Sequence, residues 1–279
     1  MKLSIITINY NNRDGLQRTI DSVICQTWHD FEWIVIDGGS TDGSKELIEK
    51  YQNHFAYWCS EPDKGVYNAM NKGITKAKGE YLNFMNSGDC FYNKYTLQKV
   101  FKSEWDAEII YGDCEQIYEK HTRIFTFPSN LNLYDLYRCN ICQQAMFIQK
   151  QLLSVEGFNE SYYLLADWAR WIKAALNGAT FKHSHQIICK YDMSGMSSTN
   201  EELARIDFSH IKRIYPQMVI DSLQRLDDYE KNTIIQRTIS IINKGRLSRF
   251  FLRFFLKVMI IVTYRNKMPN ENSVKWIEG

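Results

Sequence analysis

The chain has 279 residues, of which 44% are hydrophobic and only four are proline, with a formal net charge of +2. This composition describes a globular protein with a sizeable core and excludes a disordered or fibrous chain. At this length the expectation is one catalytic α/β domain with a short appendage.

Charge is unevenly placed along the chain. Arg246, Arg249, Arg253, Lys257, Arg265 and Lys267 fall in one stretch that contains no acid, which leaves the remainder mildly acidic. No nucleic-acid partner is expected of the main body, because neutralising phosphates requires a basic face there. The seven cysteines, at positions 25, 59, 90, 114, 139, 142 and 189, are odd in number and too dispersed for a secreted disulfide framework, so they read as reduced thiols. Cys139 and Cys142 form a CxxC that no second pair follows, which favours small buried hydrophobes over a structural zinc site. The first residues hold an apolar run too short for a signal-peptide core, and the expected location is the cytoplasm.

Residues 3–8 form a β-branched apolar run suited to a buried parallel strand, and Leu16, Ile20, Val23 and Ile24 then recur at helical spacing. Residues 33–37 predict a second strand, the turn cluster 38–43 (GGSTDG) follows it, and a helical pattern resumes at 44–50. A short strand near 56–59, a helix over 67–78 and a strand at 81–85 continue the alternation. Such an order implies right-handed crossovers and a mainly parallel sheet, with ligands at the carboxyl ends of its strands. Beyond Asp89, residues 108–111, 123–127 and 145–148 predict strands, and 164–176 predicts a helix stopped by Asn177 and Gly178.

Two acids end strands in this scheme, Asp37 and Asp89, and each sits in a glycine-containing turn that lets a ligand approach the backbone. A hard divalent cation takes carboxylate oxygen together with substrate phosphate oxygens, and Asp89 is the candidate for the first. Taken alone, an acid in a glycine-rich turn is more often an ordinary turn or cap residue.

Their order on the chain changes that weighing. Residues 4–11 (SIITINYN), 26–28 (QTW), 34–43 (IVIDGGSTDG), 60–73 (SEPDKGVYNAMNKG) and 79–89 (GEYLNFMNSGD) together resemble the start of a family 2 glycosyltransferase of the polysaccharide and surface-glycan branch. The resemblance implies an α/β fold of the GT-A, Rossmann-like type, a mainly parallel sheet flanked by helices. It implies a catalytic domain over 1–215, with a nucleotide-sugar half at 1–90 and an acceptor half at 91–215, and a C-terminal helical region over 216–279. It further implies a nucleoside diphosphate sugar donor, usually a UDP-sugar, and Mn2+ or Mg2+ on its diphosphate. Tyr10, Asn11, Asp37, Gly39, Asp63, Asn71, Ser87 and Gly88 would contact the nucleotide sugar, with Tyr10 and Asn11 beside the base and Asp37 on the uridine. Asp89 would hold the metal as the last acid of the family's Asp-x-Asp motif, in which Ser87 replaces the first.

Residues 164–171 (LLADWARW) resemble the family's acidic segment at the start of a helix near the acceptor, which makes Asp167 the general base. Inverting transfer needs such a carboxylate to take the hydroxyl proton as the oxygen attacks the anomeric carbon. Trp168, beside it, is a candidate acceptor contact. Residues 142–147 (CQQAMF) resemble a block in which the family often has His-Gln, with Gln143 at the His position, and 193–198 (MSGMSS) resemble its late donor-covering loop, although an ordinary polar loop is the favoured reading there.

Within 246–257 the basic residues recur on one helical face and phenylalanines surround the other, in an apolar stretch too short to span a bilayer. A helix lying against the anionic inner leaflet through 246–264 is the expectation, which suits a glycan or lipid-linked glycan acceptor. Two other readings stay open. One is a membrane-bound scaffold that binds a nucleotide sugar without transferring it, and the other is a nucleotidyltransferase, whose basic Gly-rich activating loop is not found.

Overall fold

The computed structural model describes residues 1–195 and 200–231. The chain divides into two compact units, Met1–Pro216 and Gln217–Gly279.

The first unit begins as strand-helix alternation: β1 (Leu3–Asn9), α1 (Arg13–Ile24), β2 (Phe31–Asp37), α2 (Ser44–Tyr51), β3 (Tyr57–Ser60), α3 (Val66–Lys76) and β4 (Tyr81–Phe84). All seven residues of β1 are buried, as are six of the seven in β2, which is why both read as unbroken apolar runs rather than alternating ones. β1 pairs in parallel with β2 and β4, and β2 with β3. In this register Asn9 lies opposite Asp37, and Asp37 opposite Ser60. α1 starts where the Asn12 side chain accepts the Gly15 N–H, and it buries Leu16, Ile20 and Val23.

There follow β5 (Cys90–Phe91), α4 (Thr96–Val100), β6 (Ile109–Ile117), β7 (Thr122–Phe125), α5 (Leu133–Arg138), β8 (Met146–Gln149), α6 (Gln151–Ser154), α7 (Ala166–Leu176), β9 (Phe181–Asp192) and α8 (Glu201–Ile211). In the second unit the described residues form one helix, α9 (Gln217–Lys231). The sheet order is β3-β2-β1-β4-β8-β6-β9-β5, with β7 on β6. Its first four strands are parallel, while β8 runs antiparallel to both β4 and β6. The parallel pairing expected from the first half is thus kept through β4, and the second half adds antiparallel pairs.

Strand β9 has no counterpart in the sequence expectations. Its residues FKHSHQIICKYD alternate poorly, and a register shift against β6 near Gly112 interrupts their period. A Cβ on Gly112 would lie 2.5 Å from the Gln186 carbonyl, so only glycine fits the shift. Across it His185 takes a φ of 55°. The alternation fails locally because the bulge resets which face each side chain occupies.

Two expectations about side chains are corrected. Cys139 is exposed, whereas Cys142 is half-buried with its Sγ 3.8 Å from that of buried Cys189, so only the second cysteine of the CxxC is the buried small group expected. Trp168 is buried, donates from Nε1 to the Leu136 carbonyl at 2.6 Å and packs on Phe208, so it serves the core. The Met193–Ser198 loop lies only partly within the described residues, and the basic stretch 246–264 lies outside them.

Candidate active site

The parallel strands β2, β1 and β4 all end on one edge, and the predicted acids gather there. Asp37, the last residue of β2, is fully buried. Its Oδ1 accepts from Asn9 Nδ2 at 2.7 Å and Ser40 Oγ at 2.6 Å, and its Oδ2 accepts from Ser60 Oγ at 2.6 Å and the Ser40 N–H at 3.0 Å. Burial pushes its carboxyl pKa up, but these donors outweigh burial and hold it below the ordinary value. With four donors already on two oxygens, Asp37 locks the turn that follows β2.

Asn11, at φ 46°, completes that lock: its N–H donates to Ser40 Oγ at 2.8 Å and its Oδ1 accepts the Thr41 N–H at 2.8 Å. Gly39 holds φ +81° against Pro62. Tyr10 is exposed at the strand end. A Cβ on Gly38 would lie 2.6 Å from Asp63 Oδ2 and 3.2 Å from the Tyr10 ring. Tyr10, Gly38 and Asp63 thus converge on one side of the crevice, with a ring, bare backbone and a carboxylate available to a planar base. Asp63 is aimed by the Gly65 N–H on its Oδ1 at 2.8 Å.

Asn71 is engaged elsewhere. Its amide donates to the Phe158 carbonyl and to Glu160 Oε1, both at 2.9 Å, and accepts the Phe158 N–H at 2.8 Å, which ties α3 to the segment before α7.

The turn after β4 carries Ser87, Gly88 and Asp89. The Ser87 carbonyl accepts from Asn12 Nδ2 at 3.1 Å, and Gly88 holds φ +105°. A Cβ on Gly88 would lie 3.3 Å from Asn12 Nδ2, 3.9 Å from Asp192 Oδ2 and 4.0 Å from Arg18 Nη2, which shows how these three groups surround it. Asp89 is buried, with Oδ1 accepting the Asp192 N–H at 2.9 Å and Oδ2 accepting Gln144 Nε2 at 2.7 Å. Burial pushes its carboxyl up to about 7 against those two donors, and the nearby Asp192 charge adds to the rise.

Among the described residues no group of three or more His, Cys, Asp or Glu side chains is placed to hold a metal by itself. Asp89 nevertheless fits a hard cation, because it is a buried carboxylate with only neutral hydrogen-bond donors, and the charge of Asp192, whose carboxylate pairs with Arg18 at 3.3 Å, acts on it. One or two carboxylates completed by substrate phosphates is the usual arrangement for Mg2+.

Asp167 sits in the first turn of α7 and is 7% exposed. Asn140 Nδ2 donates to its Oδ2 at 2.8 Å and the Tyr67 hydroxyl to its Oδ1 at 3.1 Å. Burial raises its pKa, opposed by the donors Asn140, the Trp168 N–H and Tyr67. A buried carboxylate with a raised pKa is suited to accept a proton near neutral pH.

One short segment joins the two acids. Asn140 holds Asp167 and Gln144 holds Asp89, so the two supporting residues lie no more than about 14 Å apart along an extended backbone. Gln143, at the position matched to histidine, points its amide at Met70 Sδ at 3.7 Å. The supporting residues Asn140, Tyr67, Asp192 and Asp207 escaped the sequence reading. Asp207 on α8 is fully buried and accepts the N–H groups of Tyr163, Leu164 and Leu165 at 3.1, 2.6 and 3.0 Å, which fixes the entry to α7. The available signal was chemical: a buried tyrosine hydroxyl or aspartate needs partners.

This fold is shared with solved glycosyltransferase structures. TarS 1–349 of S. aureus in complex with UDP-GlcNAc superposes with a TM-score of 0.61 at 18% identity, covering 80% of this chain and 70% of that one. The mannosyltransferase PcManGT from Pyrobaculum calidifontis, in complex with GDP-Man and Mn2+, gives 0.60 at 15% identity over 95% and 82%. The fold is therefore that of the GT-A glycosyltransferases. A PGL/p-HBAD biosynthesis glycosyltransferase of Mycobacterium bovis (strain BCG / Pasteur 1173P2) is 30% identical over 249 residues, 85% of this chain and 95% of the relative. Residues 4–149 match the family Glycosyl transferase family 2. The chain belongs to that family and is a glycosyltransferase.

Proposed function

We propose that the protein transfers a hexose or N-acetylhexosamine from a UDP-sugar, with inversion, to a hydroxyl of a lipid-linked surface glycan. The observation that supports this reading is that one segment, residues 140–144, donates both to Asp89, read as the metal-side carboxylate, and to Asp167, read as the base. Tyr10, Gly38 and Asp63 would receive the base, while Gly88 leaves the backbone open to the diphosphate, with Arg18 as the nearby cation. Asp167 would take the proton of the acceptor hydroxyl as its oxygen attacks the anomeric carbon opposite the leaving diphosphate. A divalent cation on Asp89, when bound, would neutralise charge on that leaving group.

Support for a UDP donor comes from the complex of TarS with UDP-GlcNAc, and for a cation from the complex of PcManGT with GDP-Man and Mn2+. The lipid-linked acceptor and a place at the inner membrane face rest on the basic amphipathic stretch 246–264 of the sequence. No helix among the described residues is long and apolar enough to cross a membrane. The test is UDP release by the full chain from a panel of UDP-sugars with and without Mn2+. Metal-dependent release from one donor is expected; release indifferent to metal, or from GDP-sugars instead, would overturn the donor and cation assignments.

A further inference from the structure

We infer that Tyr67, with Asn140, is a positioning residue that holds the Asp167 carboxylate in its ionised, proton-accepting form, an inference that rests on the reading of Asp167 as the base. Tyr67 lies on the buried face of α3, with its ring 5.6 Å from that of Phe158. A phenol in such a place needs a partner for its hydroxyl. Both capacities of the hydroxyl are used: it accepts the Ala166 N–H at 3.0 Å, and its own hydrogen goes to Asp167 Oδ1 at 3.1 Å. Asn140 supplies Oδ2, and only its Nδ2 can face a carboxylate, because Oδ1 would repel it. Each carboxylate oxygen thus has one side-chain donor, and the Trp168 N–H adds a backbone donor.

Asn140 and Tyr67 are the side chains that do this work, beside the Trp168 N–H of α7 itself. From α3, Tyr67 is the titratable group that faces Asp167, and the segment before β8 contributes neutral Asn140. On α8, Asp207 is occupied by the three N–H groups ahead of α7, and on α7 itself Arg170 pairs with Glu156. Among the described residues no salt bridge reaches Asp167, and the leading groups that favour its charged form are hydrogen-bond donors.

A rival role for Tyr67 is structural. The N-cap of α7, Leu165, has no side-chain cap, and the Tyr67 hydroxyl fills that place for the Ala166 N–H. Loss of a cap lowers stability without moving the titration of Asp167 by itself, whereas loss of a donor to a carboxylate moves it upward by roughly one to two pH units. Asn140 caps nothing in α7, so it separates the two roles should Tyr67→Phe fold poorly.

The experiment labels all aspartate carboxyl carbons with 13C in the full chain and follows their titration by NMR, with Asp167 identified as the resonance missing in Asp167→Asn. The midpoint is expected to rise by about one unit in Tyr67→Phe and in Asn140→Ala, and further in Asn140→Asp, where a like charge is added. The acidic limb of UDP release from UDP-N-acetylglucosamine in Mn2+ should move with it, while the donor KM stays unchanged. Unmoved midpoints in Tyr67→Phe and Asn140→Ala would overturn the inference and leave Asp167 as base. Full UDP release by Asp167→Asn would instead remove the base assignment, and the inference with it.

Discussion

Asn140 and Gln144 stand four positions apart on one segment, and each donates to a different carboxylate, Asn140 to Asp167 and Gln144 to Asp89. A backbone shift in this segment would therefore disturb both acids together. Gln144 is itself anchored, because Asn83 Nδ2 donates to its carbonyl at 3.0 Å and Cys142 Sγ to its Oε1 at 3.3 Å.

Replacing Gln144 by Ala should weaken Mn2+ binding by roughly 10- to 100-fold, the usual cost of removing a group that orients a metal ligand. Asp89→Ala should abolish metal-dependent UDP release with the fold intact. Isothermal titration with Mn2+ in the presence of UDP, alongside circular dichroism melts, checks both; unchanged Mn2+ affinity in Gln144→Ala would contradict the relationship.

Asp89 makes a signed prediction about pH. Its carboxyl is pushed up from 3.8 to about 7 without a cation, so between those values the folded state holds a proton that the unfolded chain has released. Stability of the metal-free protein from this group therefore falls as pH rises from about 4 to about 7, by on the order of a few kcal/mol. Mn2+ needs the ionised form, so its affinity should drop about tenfold per unit below pH 7. Melting temperatures with and without Mn2+ between pH 5 and 8 test this, and a metal-induced shift independent of pH would count against Asp89.

At Asp37 the sign is opposite. Its folded pKa lies below the ordinary value, so its stabilisation is fully present above about pH 4 and is lost as pH falls through the folded value. Asp37→Ala would leave donors on Asn9, Ser40 and Ser60 unpaired in a buried turn, at a cost of about 3 kcal/mol or more. Urea denaturation at neutral pH measures that loss; a change under about 1 kcal/mol would show that the turn stands without its lock.

Gly38→Ala places a methyl 2.6 Å from Asp63 Oδ2 and 3.2 Å from the Tyr10 ring. Exposed Tyr10 and half-buried Asp63 must move aside, so the fold should survive while affinity for UDP falls several-fold, on the order of 1 kcal/mol. Fluorescence titration with UDP checks it, and wild-type affinity would place the base elsewhere.

Much of the first half was legible in the sequence because each signal is local. Buried parallel strands are short apolar runs, their turns need glycine at positive φ, and residues 3–89 repeat this grammar through β1 to β4. Asp37 and Asp89 could be placed at strand ends for the same reason. Strand β9 could not, since the bulge at Gly112 breaks its period, and α8 drew no notice although its Asp207 fixes the approach to Asp167.

By itself, then, the sequence determined the alternation of elements, the glycine-bearing turns and the types of acid at the strand ends, all of which follow from steric and hydrophobic periodicity within a few residues. Only the tertiary structure decided which partner each acid has. Tyr67 meets Asp167 across 100 positions and Gln144 meets Asp89 across 55. Such pairings depend on where the sheet's crossovers return the chain, and the ionisation of a buried carboxylate is set by the donors that those returns bring to it.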